Sequence, residues 1–149
     1  MYNPRSAETP VEGDPRAEAQ WVSITVKNWI PNSSIKIQDA KLDWGKFYEA
    51  PNKSNELSAA TINSIVIAPS QSAIVSACGR ANAASGTEGR ISLYEGSTRI
   101  CQLYWDCPWG SKWNNFKAES INSSYIVTVG PWNDYSGALG NVYIDIERN

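Results

Sequence analysis

From Trp21 to Lys27 apolar and polar side chains alternate, with Val22, Ile24 and Val26 on one face and Ser23, Thr25 and Lys27 on the other. A period of two belongs to a half-buried strand; wound into a helix, it would scatter its apolar residues around the axis. The period returns near the end of the chain, with Val142, Ile144 and Ile146 inward and Tyr143 and Asp145 outward. Between these, Ile35 and Ile37 with Leu42, Ser64 to Ala68, Ala73 to Ala77, and Ser124 to Gly130 read as further strands. Arg90 to Tyr94 and Arg99 to Trp105 form a hairpin around Glu95-Gly96-Ser97. Pro51 to Asn55 reads as a polar loop and Cys78 to Arg90 as a long glycine-rich connection. No segment shows a helical period. Short strands separated by turns predict an all-β, single-domain antiparallel β-sandwich.

A chain of 149 residues suffices for one domain with a core of its own. Residues 1–18 hold prolines and charges and few apolar side chains, and are predicted to form a flexible arm, with the sandwich over 19–149. That N-terminal stretch lacks the apolar segment of a secretory signal. No apolar run reaches the length of a membrane-spanning helix. A soluble protein is expected.

Charge and missing residue types narrow the chemistry. The net charge of −2 provides no electrostatic footprint for nucleic acid, and no basic cluster for an anionic membrane. There is no histidine, which removes Ser-His-Asp and Cys-His catalysis and ordinary zinc hydrolase sites. No metal and no cofactor is expected. The three cysteines, Cys78, Cys101 and Cys107, cannot all pair within the chain, and reduced, partly buried thiols are expected. Asp106, Asp134, Glu88 and Glu95 are the available acid–base groups, and solubilising or structural roles suit them better than a glycosidase pair.

The aromatic residues point elsewhere. Leu103 to Phe116 reads LYWDCPWGSKWNNF and holds three of the seven tryptophans, Trp105, Trp109 and Trp113, around a Pro-Trp-Gly turn. Most tryptophans anchor cores, and Trp105, near a strand end, is assigned there. Trp44 and Trp109 each precede a glycine in a turn and fit a core less well. Proline ends the ladder at Pro108, so Trp109 is expected on a surface loop. Exposed indoles and phenols suit a membrane interface, and aromatic rings cage quaternary ammonium groups. They also stack on sugars, so a carbohydrate-binding module or lectin stays open as the alternative. Lys46 and Lys112, close behind tryptophans, are of the right type to meet a phosphate.

Five motifs then fall in order: AQWV at Ala19 to Val22, WGK at Trp44 to Lys46, CGR followed by SGT between Cys78 and Thr87, YWDCPWGSK at Tyr104 to Lys112, and SGALG at Ser136 to Gly140. Together they resemble the aegerolysin family over Ala19 to about Arg148. The resemblance implies a non-enzymatic β-sandwich that recognises sphingolipid membranes, either sphingomyelin with cholesterol or ceramide phosphoethanolamine. It implies the docking half of a two-component, sometimes insecticidal, cytolysin whose membrane-attack-complex/perforin partner forms the pore. Such a protein acts outside the cell, at target membranes. Carried over by motif, the lipid-binding residues are Trp21, Trp44, Tyr104, Trp109 and Lys112, with Lys112 facing the phosphate and Trp21 either joining the site or bracing it from beneath. Ser85 matches a position that is acidic in some members and bears on which lipid assembly is accepted. Trp113 stands where a small polar residue is the family habit, and Ser85, Trp113 and Trp132 are candidates for additional membrane contact.

Overall fold

The computed structural model describes residues 17–110 and 112–149. Its strands are β1 (Trp21–Asn28), β2 (Ile35–Trp44), β3 (Lys46–Glu49), β4 (Asn52–Leu57), β5 (Val66–Ile67), β6 (Ser72–Cys78), β7 (Thr87–Glu95), β8 (Thr98–Cys107), β9 (Asn115–Glu119), β10 (Tyr125–Val129) and β11 (Gly140–Arg148). A helical turn, α1 (Ala59–Ile62), precedes β5. Six strands form one sheet in the order β10-β11-β1-β6-β3-β4, and five form a second in the order β5-β2-β7-β8-β9. The β-sandwich read from the alternating segments is therefore what forms.

The inward faces are those the alternation marks. Val22, Ile24 and Val26 of β1 and Val142, Ile144 and Ile146 of β11 are fully buried, as are Ile91 and Leu93 of β7 and Leu103 and Trp105 of β8. Trp105 is the largest fully buried side chain, and its indole N–H donates to Thr87 Oγ1 at 3.1 Å. Phe47 of the first sheet meets the Trp105 ring edge-on, with centroids 6.2 Å apart, and so ties the two sheets together.

Three features depart from the alternation. The stretch from Pro51 to Asn55 is no loop: from Asn52 it forms β4, a polar edge strand pairing with β3, whose side chains need no buried face. Ser58 caps α1, its Oγ accepting from Thr61 N–H at 3.1 Å, and four residues are too few to show a period. Finally β1 and β11 run parallel, while every other paired neighbour is antiparallel. Of the arm read over residues 1–18, residues 1–16 lie outside the described residues. Ala17 is buried, and Glu18 pairs with Lys46 at 2.6 Å, so the last two positions pack on the domain. Cys78, Cys101 and Cys107 are free and buried, and burial lifts their thiols to about 11, about 12 and about 12.

Candidate functional site

The site grows from the outward face of the second sheet. Along β8, Leu103, Trp105 and Cys107 turn inward, so Tyr104 and Asp106 turn out. Register sets Trp44 opposite Glu88 and Glu88 opposite Asp106, forming one outward row across β2, β7 and β8. The next outward row is Lys41, Arg90, Tyr104 and Lys117. The Tyr104 hydroxyl donates to Glu88 Oε2, and Arg90 and Lys117 lie 5.3 and 5.4 Å from the Tyr104 ring centre.

Glycines bring the loops onto this face. Gly45 has φ +94°, and a Cβ there would lie 2.4 Å from Cys78 O. That corner fixes the backbone behind Trp44, whose indole is left 57% exposed. Gly86 has φ +65°, and a Cβ there would lie 2.2 Å from Cys107 O and 2.8 Å from Trp109 N. Only glycine lets the chain before β7 press against the Pro108 turn. From the other side, Asn114 Nδ2 donates to Asn133 O and Gly137 O, both at 2.9 Å, tying this turn to the 131–139 loop.

The result is a cleft of about 360 Å³ walled by Trp44, Ser85, Glu88, Asp106, Lys112 and Trp113, with Trp109 at its base. Trp44, Ala84 and Ser85 also line a larger cleft of about 660 Å³, so the Trp44 indole stands between the two. Trp113 and Tyr135, 67% and 62% exposed, meet edge-on at 4.9 Å and extend the aromatic rim.

The electrostatics of the cleft are uneven. Glu88 and Asp106 are like charges directly opposite one another on neighbouring strands, an unfavourable arrangement. Burial and then Glu88 raise the Asp106 carboxyl above its ordinary value, against the opposing pull of Lys112. Burial, with the bond to Glu88, also raises the Tyr104 phenol. The cleft thus presents a carboxylate pair to a cation, with an ammonium at its rim.

The structure brings together Trp44, Trp109, Lys112, Ser85 and Trp113, with Tyr104 bonded to the Glu88 wall. It does not bring Trp21 to them. Trp21 lies on the outward face of the other sheet, beside a groove of about 330 Å³, with Lys53 Nζ 5.5 Å from its ring centre. Trp132 is half-buried and packs on Phe116, with centroids 6.5 Å apart. Lys46 is occupied by Glu18. Trp109 corrects the surface-loop reading: its loop folds back, leaving it 8% exposed. Sequence reasoning missed Glu88 as a wall of the cleft and Tyr135 as part of its rim. Only cross-strand register exposes the first, while the aromatic turn from Pro131 to Gly137 was a visible signal for the second.

The family model described as Aegerolysin matches residues 19–149. The chain belongs to the aegerolysin family. Asp-hemolysin of Aspergillus fumigatus is 41% identical to this aegerolysin over 133 residues, covering 89% of this chain and 96% of that one. The crystal structure of IP-1A from Alcaligenes faecalis superposes with a TM-score of 0.81 at 39% identity, covering 90% of this chain and 94% of the other. The RahU protein, crystallised with a TRIS molecule, superposes with a TM-score of 0.83 at 30% identity, covering 89% and 98%.

Proposed function

We propose that this aegerolysin binds membrane sphingolipids through the Trp44 cleft and is the docking component of a two-component cytolysin. The observation that carries the reading is the make-up of the cleft. Exposed aromatics line it, together with a carboxylate pair able to receive a cation and Lys112, able to meet an anion. A zwitterionic phospholipid head group has both charges, joined by a short linker. Its ammonium would lie against Glu88, Asp106 and the rings, and its phosphate toward Lys112. Trp44, Trp113 and Tyr135 would meet the interface, where amphipathic rings are favoured. The relative named Asp-hemolysin supports a membrane-damaging outcome. No described helix is long and apolar enough to cross a membrane. In this reading a perforin-like partner makes the pore. Such a protein would act at target-cell membranes after release.

Co-sedimentation with vesicles of phosphatidylcholine, sphingomyelin/cholesterol and ceramide phosphoethanolamine tests the reading. Binding to a sphingolipid vesicle and not to phosphatidylcholine is the expected result. No binding to any of the three overturns it, and glycan-array binding in that case would select the carbohydrate alternative.

A further inference from the structure

Among the described residues, four strands lie at open sheet edges: β10 and β4 in the first sheet, β5 and β9 in the second. An open edge offers unpaired N–H and C=O groups, and folded proteins blunt it with charge, proline, bulges or shortness. β4 carries Lys53 and Glu56. β9 carries Lys117 and Glu119, 3.3 Å apart. β5 is two residues long. β10 is longer than β5 and lacks the other devices. Its five residues read YIVTV, without charge, proline or glycine, and its register against β11 has no bulge.

The register also fixes which backbone groups point outward. Asn149 N–H donates to Ser124 C=O at 2.9 Å and Gly130 N–H to Tyr143 C=O at 2.8 Å. Both pairs continue the β10–β11 register, in which bonded pairs recur at every second residue. Ile126 and Thr128 therefore direct their backbone groups at β11, whereas Val127 and Val129 direct theirs away from the sheet. Tyr125 N–H, also outward, is taken up by Asn122 C=O at 3.0 Å. The Ile126 side chain is 45% exposed and Tyr143, on the neighbouring strand, 56%.

We propose that β10 is a self-association edge, at which two copies of the chain pair β10 to β10 antiparallel about a two-fold axis at Val127. Centred there, each Val127 N–H meets the Val127 C=O of the second copy, and each Val129 N–H meets a Tyr125 C=O. These are the groups that already point outward, so pairing requires no shift of the strand. The two-fold makes the contact self-complementary. An uncharged strand sets no like charges opposite one another, whereas β9 paired on its own centre would set Lys117 against Lys117. A five-residue edge is short, which places the association in the weak, reversible class. No β10 residue lines the Trp44 cleft, so the proposal stands apart from the lipid reading.

Sedimentation velocity of the full chain without lipid, across a concentration series up to the solubility limit, tests it. A reversible monomer–dimer equilibrium is expected. Ile126→Lys places a charge on the outward face, and Val127→Pro removes the central N–H while leaving the bonds to β11 in place. Each is expected to weaken the dimer at least about tenfold with an unchanged far-UV spectrum. A monomer at every concentration overturns the proposal, as does a dimer that Ile126→Lys leaves unaltered. Should Val127→Pro fail to fold, Ile126→Lys, at an exposed position, decides alone.

Discussion

Trp44 and Trp109 separate binding from folding. Trp44 is 57% exposed, so Trp44→Ala is expected to keep the melting temperature of the parent and to weaken vesicle binding at least about tenfold. Trp109 is 8% exposed, and Trp109→Ala is expected to cost about 3 kcal/mol in denaturant unfolding. Two carboxyls give opposite pH signatures. Asp106, raised by burial and by Glu88, holds its proton more tightly in the folded state. Stability is therefore gained as pH falls through its folded value toward the ordinary 3.8, and is missing at neutral pH. Asp106→Asn is expected to melt higher than the parent at neutral pH, with the gap closing in acid. Glu95, lowered first by its bond from Tyr125, behaves in reverse. Its contribution is complete above the ordinary 4.5 and lost as pH falls, so Glu95→Gln is expected to melt lower at neutral pH. Thermal melts from about pH 3 to pH 7 check both signs. Trp105 was legible as a core residue because the strand alternation places it inward. Trp109 was not, because a proline turn tells where a ladder stops but not which way the following loop folds.

At the scale of elements, the cleft depends on chain segments that approach too closely for any side chain. Gly86→Ala sets a Cβ 2.2 Å from Cys107 O at a positive φ. It is expected to destabilise the fold by more than ~1 kcal/mol and to disturb the Trp44 cleft, as unfolding and vesicle binding measured on one sample would show. The strands with a buried face, such as β1, β8 and β11, could be read directly, since burial on one side enforces a period of two. β4 and α1 could not: one is a polar edge, the other a single capped turn. The pairing of Glu88 with Asp106 comes from hairpin register, and the carboxylates themselves are 18 residues apart along the chain. The parallel pairing of β1 with β11 joins opposite ends of the domain and has no local signature.

For the whole molecule, the near-neutral charge and the aromatic rim set the character of binding. Aromatic burial and a zwitterionic head group release few counterions, so affinity should change little between low and physiological salt, unlike phosphate-backbone binding. A steep loss with salt would point to a charge-driven surface instead. The five ordered motifs made the family legible, and alternation made the sandwich legible. The union of Trp44, Glu88, Asp106, Lys112 and Trp113 in one cleft appears only after three strands of the second sheet have paired and the loops beside them have closed. Trp21, from the first of those motifs, lies on the opposite sheet face, so motif order alone does not define a site. The central claim is that this cleft is where the lipid is held. Co-sedimentation of the parent protein and Trp44→Ala, side by side on sphingomyelin/cholesterol and ceramide phosphoethanolamine vesicles, tests it most directly. The parent is expected to pellet with at least one vesicle type and folded Trp44→Ala to stay in the supernatant; equal pelleting of the two proteins would contradict a lipid site in this cleft.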